Sequence, residues 1–439
     1  MKKKTKVAKS PDKFTAVVLA AGKGTRMKSA QPKVLYDLMG NPLIYYVLRA
    51  LLSLNNCIDE IVVVLGYKGS LVEKILKEMF PDTRKIKIVY QEKLLGTADA
   101  VKVALGKVNR ENVLILCGDA PLITSKTIKK FISFFLNKKT SGCVLTAGVQ
   151  EQNSLGAILR DSNGKVKEIK EKCQLNSKQI NSREAFISEE VNSGMYCFNR
   201  KYLSQNLSKI KINAQKREYF FTDMIKIAYE EKNGLLAYFL SDSQEVLGVN
   251  TPKDLLLAGK VMRERVLDEL INRGVKLVDF QNVFIEVGAK IGKNTVIYPF
   301  TFIEKDVIIG SNCSLGPFVR IRKGTRIKNN TCLGNFLEIN RSQIGKNVKV
   351  KHFGYLGDVF VEDRVNIGAG SVVANYDGKN KHKSRIGKEA FIGSNAVLIS
   401  PVKIGKQAII GAGSVVTKDV LPSAVVVGVP ARPLKKNRG

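Results

Sequence analysis

From Phe14 onward the chain alternates two hydrophobic rhythms. Short continuous apolar runs (FTAVVLA, EIVVVLG, KIKIVYQ, NVLILCGDA) read as strands buried on both faces. The segments between them (NPLIYYVLRALLSL, SLVEKILKEMF, ADAVKVAL) carry apolar residues at helical spacing. Strand and helix in alternation predict an α/β domain with a parallel sheet covered by helices on both faces. Past residue 280 the rhythm changes. Ile285, Ile291, Ile297, Ile303, Ile309, Leu315, Ile321, Ile327, Leu333 and Ile339 are aliphatic at an unbroken period of six. After a one-residue slip the series resumes at Ile344, Val350 and Leu356, then at Val361, Ile367 and Val373, and finally runs from Ile386 through Ile392, Leu398, Ile404 and Ile410 to Val416. A six-residue period predicts a solenoid with three short strands per 18-residue coil, about seven coils, and the periodic aliphatics stacked inside. Between Val373 and Ile386 the period breaks and expels a loop, Asn375-Tyr-Asp-Gly-Lys-Asn-Lys381. The stretch TPKDLLLAGKVMRERVLDELIN before the solenoid reads as a helical arm ending near Gly274. The expected organisation is a basic tail (1–13), an α/β domain (14–250), a helical linker (251–280), a β-helix (281–430) and a C-terminal tail (431–439).

Length and composition narrow this picture. A chain of 439 residues with 44% hydrophobic and 25% charged residues has enough apolar surface for two or three cores, which excludes global disorder. No apolar run approaches the roughly 18 residues of a membrane span. The cysteines at 57, 117, 143, 173, 197, 313 and 332 are scattered and form no CxxC or Cys/His cluster, so neither a disulfide framework nor a zinc site is expected and a reducing, cytoplasmic setting is. The formal charge of +33 makes polyanions a candidate partner class. The excess is spread along the chain, however, and no nucleic-acid motif accompanies it, which favours a lysine-rich surface with phosphate pockets over nucleic-acid binding.

In a wound α/β sheet, ligands collect at the carboxyl ends of the strands. After the first strand the chain reads Leu19-Ala20-Ala-Gly22-Lys-Gly24-Thr-Arg26-Met, then Gln-Pro-Lys33. Glycines there let backbone approach a phosphate, and Arg26 and Lys33 add charged donors. The string is neither a Walker A loop nor the dinucleotide fingerprint. It resembles the signature of the sugar-1-phosphate nucleotidyltransferases, and further matches follow in order: Gln91 with Gly96-Thr97, the segment Cys117-Gly-Asp119-Ala-Pro-Leu, Gly156, Glu171, Asn192 and Asn250. The resemblance implies a Rossmann-like nucleotidyltransferase domain, with base recognition at Gln91, sugar contacts from Gly156, Glu171 and Asn192, and Mg²⁺ held by Asp119 and Asn250. Arg26 and Lys33 would stabilise the departing pyrophosphate. One departure is Leu155-Gly156-Ala157-Ile158, which keeps the glycine of the family's Tyr-Gly-Arg-Ile but not its neighbours.

The second half holds both histidines of the chain, His352 and His382. Lys351-His-Phe-Gly-Tyr355-Leu-Gly-Asp358, together with Arg322, Asn366, the NYDGKNK loop, Ser394 and Ala412, resembles the acetyltransferase half of the bacterial bifunctional N-acetylglucosamine-1-phosphate uridylyltransferase/glucosamine-1-phosphate acetyltransferase family. The resemblance implies a left-handed coil, a homotrimer, acetyl-CoA as cosubstrate, and UTP and sugar phosphates as small-molecule partners. An imidazole with an ordinary pKa of about 6.5 is mostly free to accept a proton at neutral pH, so His352 is the expected base for the sugar amine. Arg322, Tyr355, Asn366, Asn375, Tyr376 and Lys381 would surround the sugar phosphate, and Ala369, Asn375, Tyr376, Ser394, Ala412 and Arg432 the acetyl-CoA. His382 reads as a solvated loop residue. Two positions depart from the family: Asn340 stands where a phosphate-contacting Lys is usual, and Gly428-Val-Pro-Ala-Arg432 replaces a C-terminal Arg motif, leaving Arg341 and Arg432 as substitute guanidinium groups. Two other readings compete: a monofunctional nucleotidyltransferase whose β-helix serves assembly, as in relatives of glucose-1-phosphate adenylyltransferase, and a non-enzymatic polyanion-binding scaffold.

Overall fold

Each apolar run of the first half is a strand. In the computed structural model, which describes residues 13–81, 84–148, 155–171 and 190–434, they are β1 (Phe14–Ala20), β4 (Ile58–Leu65), β5 (Ile86–Tyr90) and β6 (Asn112–Cys117), with a two-strand hairpin β2 (Asp37–Leu38) and β3 (Asn41–Pro42) after the glycine loop. Then come β7 (Gly142–Gly148), β8 (Ala157–Arg160), β9 (Val166–Lys170), β10 (Glu190–Asn199) and β11 (Leu236–Leu240). The helices α1 (Leu43–Leu52), α2 (Gly69–Met79), α3 (Thr97–Leu105) and α4 (Ser125–Lys138) occupy the segments of helical periodicity and the stretch after Asp119. The expected tail up to residue 12, the last five residues and Cys173 lie outside the described residues. Chain contacts divide the molecule into two compact units, with the boundary between Val261 and Met262.

In the first unit the strand order is β11-β7-β10-β6-β1-β4-β5, with β8 and β9 extending from β10. The strands β5, β4, β1 and β6 pair in parallel, as the alternation predicts. The expectation of a parallel sheet stops at β10, which runs antiparallel to both β6 and β7. A strand buried on both faces is a continuous apolar run whichever way it points, so hydropathy carries no record of its direction. Both faces are dry: Ala16 and Val18 of β1 pack with Val47 of α1, Leu76 of α2 and Phe131 of α4, while Val17 packs with Val101 of α3 and Met224 of the helix Asp223–Glu230.

The helix Pro252–Asn272 runs across the boundary; in the second unit its C-terminal half buries Leu267 and Leu270 against the end of the solenoid, and the first rung begins at Lys276, paired in parallel with Val296. The rungs form three sheets of 10, 8 and 7 strands, parallel except for the last pair of the first, Val425–Val427 with Arg432–Pro433, and make the left-handed β-helix expected of hexapeptide repeats. Phe302 pairs with Arg320, Leu333 with Val350 and Val361 with Ile386, so a coil is 18 residues, 17 across a slip and 25 where the loop is inserted. Every aliphatic of the six-residue series is buried in one core. Corners are made by residues in the left-handed region, among them Asn294, Phe300, Asp306 and Asn312, which recur at the same six-residue spacing.

Ile303 is fully enclosed in this stack. Ile303→Ala should cost about 2–5 kcal/mol by cavity formation, read as a fall in the urea midpoint of the full chain followed by far-ultraviolet circular dichroism. An unchanged midpoint would mean that the series does not face the interior.

Candidate functional site

The glycine loop sits where β1 ends. Gly24 has φ +63°, and a Cβ there would lie 2.6 Å from Cβ of Lys33, so glycine is what lets Lys33 pack against the loop. At Gly22 nothing lies within 4 Å of where a Cβ would be, so the backbone there is open to a ligand. The neighbouring strand β6 ends at the same level, since Gly118 N–H bonds Leu19 O at 2.9 Å, and this places Asp119 beside the loop. Asn250 arrives from the far end of the unit. Val249 N–H donates to Asp119 O at 2.9 Å, and the buried Glu245 carboxylate accepts from Thr124 N–H (2.8 Å) and the Thr127 hydroxyl (2.9 Å) at the start of α4.

These contacts bring four predicted residues together. Lys33 Nζ donates to Asn250 Oδ1 at 2.9 Å and forms an ion pair with Asp119. Arg26 Nη2 donates to the same Asn250 oxygen at 2.9 Å. Two oxygens far apart in sequence, from Asp119 and Asn250, thus share one ammonium. No cluster of three or more His, Cys, Asp or Glu suited to a metal occurs among the described residues. One carboxylate and one amide oxygen around a single cation are instead the sparse donor set that suits Mg²⁺, which keeps most of its waters. On the opposite side, Asn192 N–H bonds Gly156 O at 2.9 Å, and a Cβ at Gly156 would lie 3.4 Å from the Glu171 carboxyl. Burial pushes the Glu171 carboxyl above the usual range, with Asp223 adding to the effect and Arg26 opposing it. Asn192 is fixed by Tyr196 Oη and Gly194 N–H. Burial also drives the Cys117 thiol up to about 12, so it is no nucleophile. Gln91 follows the end of β5 and Gly96-Thr97 opens α3: Gln91 N–H bonds Leu65 O, and Gly96, at φ +107°, leaves no room for a Cβ against Tyr219 O.

On the β-helix, register sorts the remaining predictions into two columns. His352 is exposed at a corner and makes no hydrogen bond among the described residues. Gly370 N–H bonds Phe353 O, Asn395 N–H bonds Ala369 O and Gly413 N–H bonds Ser394 O. Ala369, Ser394 and Ala412 therefore succeed His352 coil by coil along one corner. Asn366 lies in the strand leading to that corner, paired with Phe391. The second column runs along the next corner. Arg322 N–H bonds Ile339 O, Asn340 pairs with Gly357, and Asn375 Nδ2 hydrogen-bonds the Asp358 carboxylate. Tyr355 leans towards it, since a Cβ at Gly357 would touch Tyr355 Oη and Asn375 Cγ. Arg322 Nη1 donates to Glu338 at 3.0 Å. The two columns are separated by the strand Gly354–Gly357, roughly 13 Å at about 3.3 Å per residue. Within one chain His352 and the Asn375 group are not brought together. Arg432 lies exposed at the last strand pair, its guanidinium on its own Ala431 O.

His382, expected as a solvated loop residue, is partly exposed on the loop and has a side-chain partner there. Its Nε2 lies 2.7 Å from Asp377 Oδ2, and Asp377 also accepts from the N–H groups of Lys379 and Asn380. With His382 N–H on Asn375 O, this closes the expelled segment into a hairpin that presents Tyr376 and Lys381. Sequence reading also missed how Asp358 works. Arg341 grips it with two hydrogen bonds, 2.7 and 2.6 Å, and its Nη1 reaches Asn340 Oδ1 at 3.1 Å. The only sequence signal was the place of Asp358 in the quoted KHFGYLGD string. The Arg341 guanidinium, ahead of Asn375, holds the Asp358 carboxyl below its usual range. A depressed folded pKa contributes stability that is complete above the unfolded value of about 3.9 and is lost as pH falls through the lower folded value. Urea midpoints measured from pH 5 to pH 2 should therefore fall less steeply for Arg341→Met than for the unsubstituted protein; parallel curves would show that the pair contributes nothing.

Comparison with known proteins agrees with this division. Residues 15–259 match the nucleotidyl transferase family, and residues 288–323 and 383–418 match the bacterial transferase hexapeptide repeats. The bifunctional protein GlmU of Heliobacterium modesticaldum is 38% identical over 97% of this chain and 97% of its own. That of Clostridioides difficile is 34% identical over 94% and 95%. Among solved structures, a Bacillus anthracis chain assigned as glucose-1-phosphate thymidylyltransferase aligns over 56% of this chain and 94% of its own, at 20% identity and a TM-score of 0.45. With the relatives matched from end to end and both halves in the same order, the chain belongs to the family of the bifunctional protein GlmU.

Proposed function

We propose that the two units carry out successive steps of one synthesis, residues 281–430 acetylating glucosamine-1-phosphate from acetyl-CoA and residues 14–250 joining the product to UTP. The enzyme is a uridylyltransferase and a glucosamine-1-phosphate acetyltransferase of UDP-N-acetylglucosamine synthesis. In the second step a phosphate oxygen of the sugar attacks the α-phosphorus of UTP in line, the bond to the β-phosphate breaks, and pyrophosphate leaves. Two anions must meet, so fixed cations matter most. Lys33 and Arg26, now on Asn250 and Asp119, transfer their hydrogen bonds to the phosphates. Asp119 and Asn250 would hold Mg²⁺, which when bound neutralises charge on the triphosphate. Gln91 meets the base, and Gly156, Glu171 and Asn192 meet the sugar.

In the first step the sugar amine attacks the thioester carbonyl, the carbon–sulfur bond breaks, and the amine proton passes to His352 and on to the departing thiolate of CoA. A base so placed contributes roughly 10²–10⁴ in rate. His352 is the observation that carries the two-step reading over a monofunctional one: a prism used only for assembly needs no exposed imidazole at the foot of the Ala369–Ser394–Ala412 column. Arg322 and Lys381 hold the acceptor phosphate, with Tyr355, Asn366, Asn375 and Tyr376 around the sugar and Arg432 on CoA. The gap between the two columns supports a site completed by neighbouring copies, as in the homotrimer that the resemblance implies. So does the exposed ladder Phe300, Phe318 and Phe336, whose rings stack at 4.8 Å. Such an apolar column is what a second copy would cover. Among the described residues no helix is long and apolar enough to cross a membrane.

Separate assays of the two steps test this. His352→Ala should lower acetyl transfer by about 10²–10⁴ and leave uridylyl transfer intact, while Asp119→Ala does the reverse. Loss of both activities from either change would contradict separate sites.

A further inference from the structure

The side-chain amide of Gln91 is nearly buried, 5% exposed, and both of its donor positions are spent. Nε2 donates to Gly96 O at 3.0 Å and to Asp99 Oδ2 at 2.7 Å. Both partners accept only, so rotating the amide by 180° would set Oε1 against a carbonyl and a carboxylate. The orientation is therefore forced. No partner among the described residues takes Oε1, and Gln91 lines a cavity of about 470 Å³ with Gly66, Tyr67, Tyr90, Glu92 and Leu94. That cavity opens at the ends of β4 and β5, beside the glycine loop, where Tyr67 N–H bonds Ala21 O. Asp99 stands in the first turn of α3, where a negative charge is favoured by the helix dipole.

We infer that Asp99 is a specificity-determining positioning residue: by locking the Gln91 amide it makes the base pocket present a hydrogen-bond acceptor, which selects a pyrimidine carrying hydrogen on N3. Uracil donates from N3 to Oε1. Cytosine brings a lone pair at N3, and two acceptors facing each other leave both unsatisfied in a partly dry site. The inference rests on the uridylyl-transfer reading and deepens it, because Asp99 never touches the nucleotide and acts through Gln91 alone.

The test is kcat/KM for UTP and for CTP, with N-acetylglucosamine-1-phosphate and Mg²⁺ held constant. Asp99→Asn keeps the shape but replaces the charged acceptor with an amide that can also donate, so that only Gly96 O still opposes the flipped edge of Gln91. The preference for UTP over CTP should shrink about tenfold, chiefly through KM. Asp99→Ser, whose hydroxyl also donates, should move the ratio the same way and serves if the first variant folds poorly. In a Gln91→Met background Asp99→Asn should leave the ratio where Gln91→Met alone put it. Equal loss with both nucleotides and an unchanged ratio would reduce Asp99 to a helix-start residue and overturn the inference while sparing the reading. An unsubstituted enzyme that uses CTP as well as UTP would overturn both.

Discussion

The oxygen of the Asn250 side chain accepts hydrogen bonds from both Lys33 and Arg26, and Lys33 is at the same time paired with Asp119. This single knot of charge ties together the glycine loop, the end of β6 and the segment that closes the domain. Its cations are of the kind that suits a triphosphate and its oxygens of the kind that suits a divalent ion. In the free protein each set satisfies the other, so neither is left as an uncompensated partly buried charge. On the proposed function, ligand binding is an exchange of partners within a site already assembled, which keeps the cost of ordering low.

The β-helix reaches a site by a different route. Its coils pair in register, so residues 17, 18 or 25 apart in sequence stand one above another. A function that needs a long groove, such as one for an extended cosubstrate, can be written as one residue per coil along a corner, as in His352, Ala369, Ser394 and Ala412. The interior is uniform and aliphatic and does little beyond holding that spacing. Hydrogen-bonded polar groups gather where uniformity fails: the slips next to Asn340 and Asp358, and the inserted hairpin from Asn375 to His382. An exposed imidazole and a polar network of Arg341, Asp358 and Asn375 stand on neighbouring corners of the same prism face.

Much of this is legible in the sequence. The six-residue series predicts the buried positions because a coil of three equal sides returns the same side chain to the interior at every sixth residue. The glycine-loop residues, Asp119 and Asn250 were readable as a set through their family resemblance, although nothing in local sequence says that residues so far apart will share an ammonium. The direction of β10 was not readable, since apolar runs look alike in both senses. Nor were the side-chain locks: Asp99 on Gln91, Arg341 on Asp358 and Asp377 on His382. Each depends on a rotamer and on coil or helix register that brings a charge to within 3 Å, and hydropathy and motif spacing report neither. His382 shows the cost, for a histidine in a Lys-rich loop reads as solvated until its carboxylate partner is seen.

The knot around Asn250 is open to direct observation in crystals soaked with Mn²⁺ and UTP. The anomalous signal of the metal should peak between the Asp119 carboxylate and the Asn250 amide oxygen, with the Lys33 ammonium and Arg26 guanidinium moved onto the phosphates. A metal bound away from both oxygens, or one bound while Lys33 still bridges them, would contradict the exchange on which the nucleotidyl-transfer site depends.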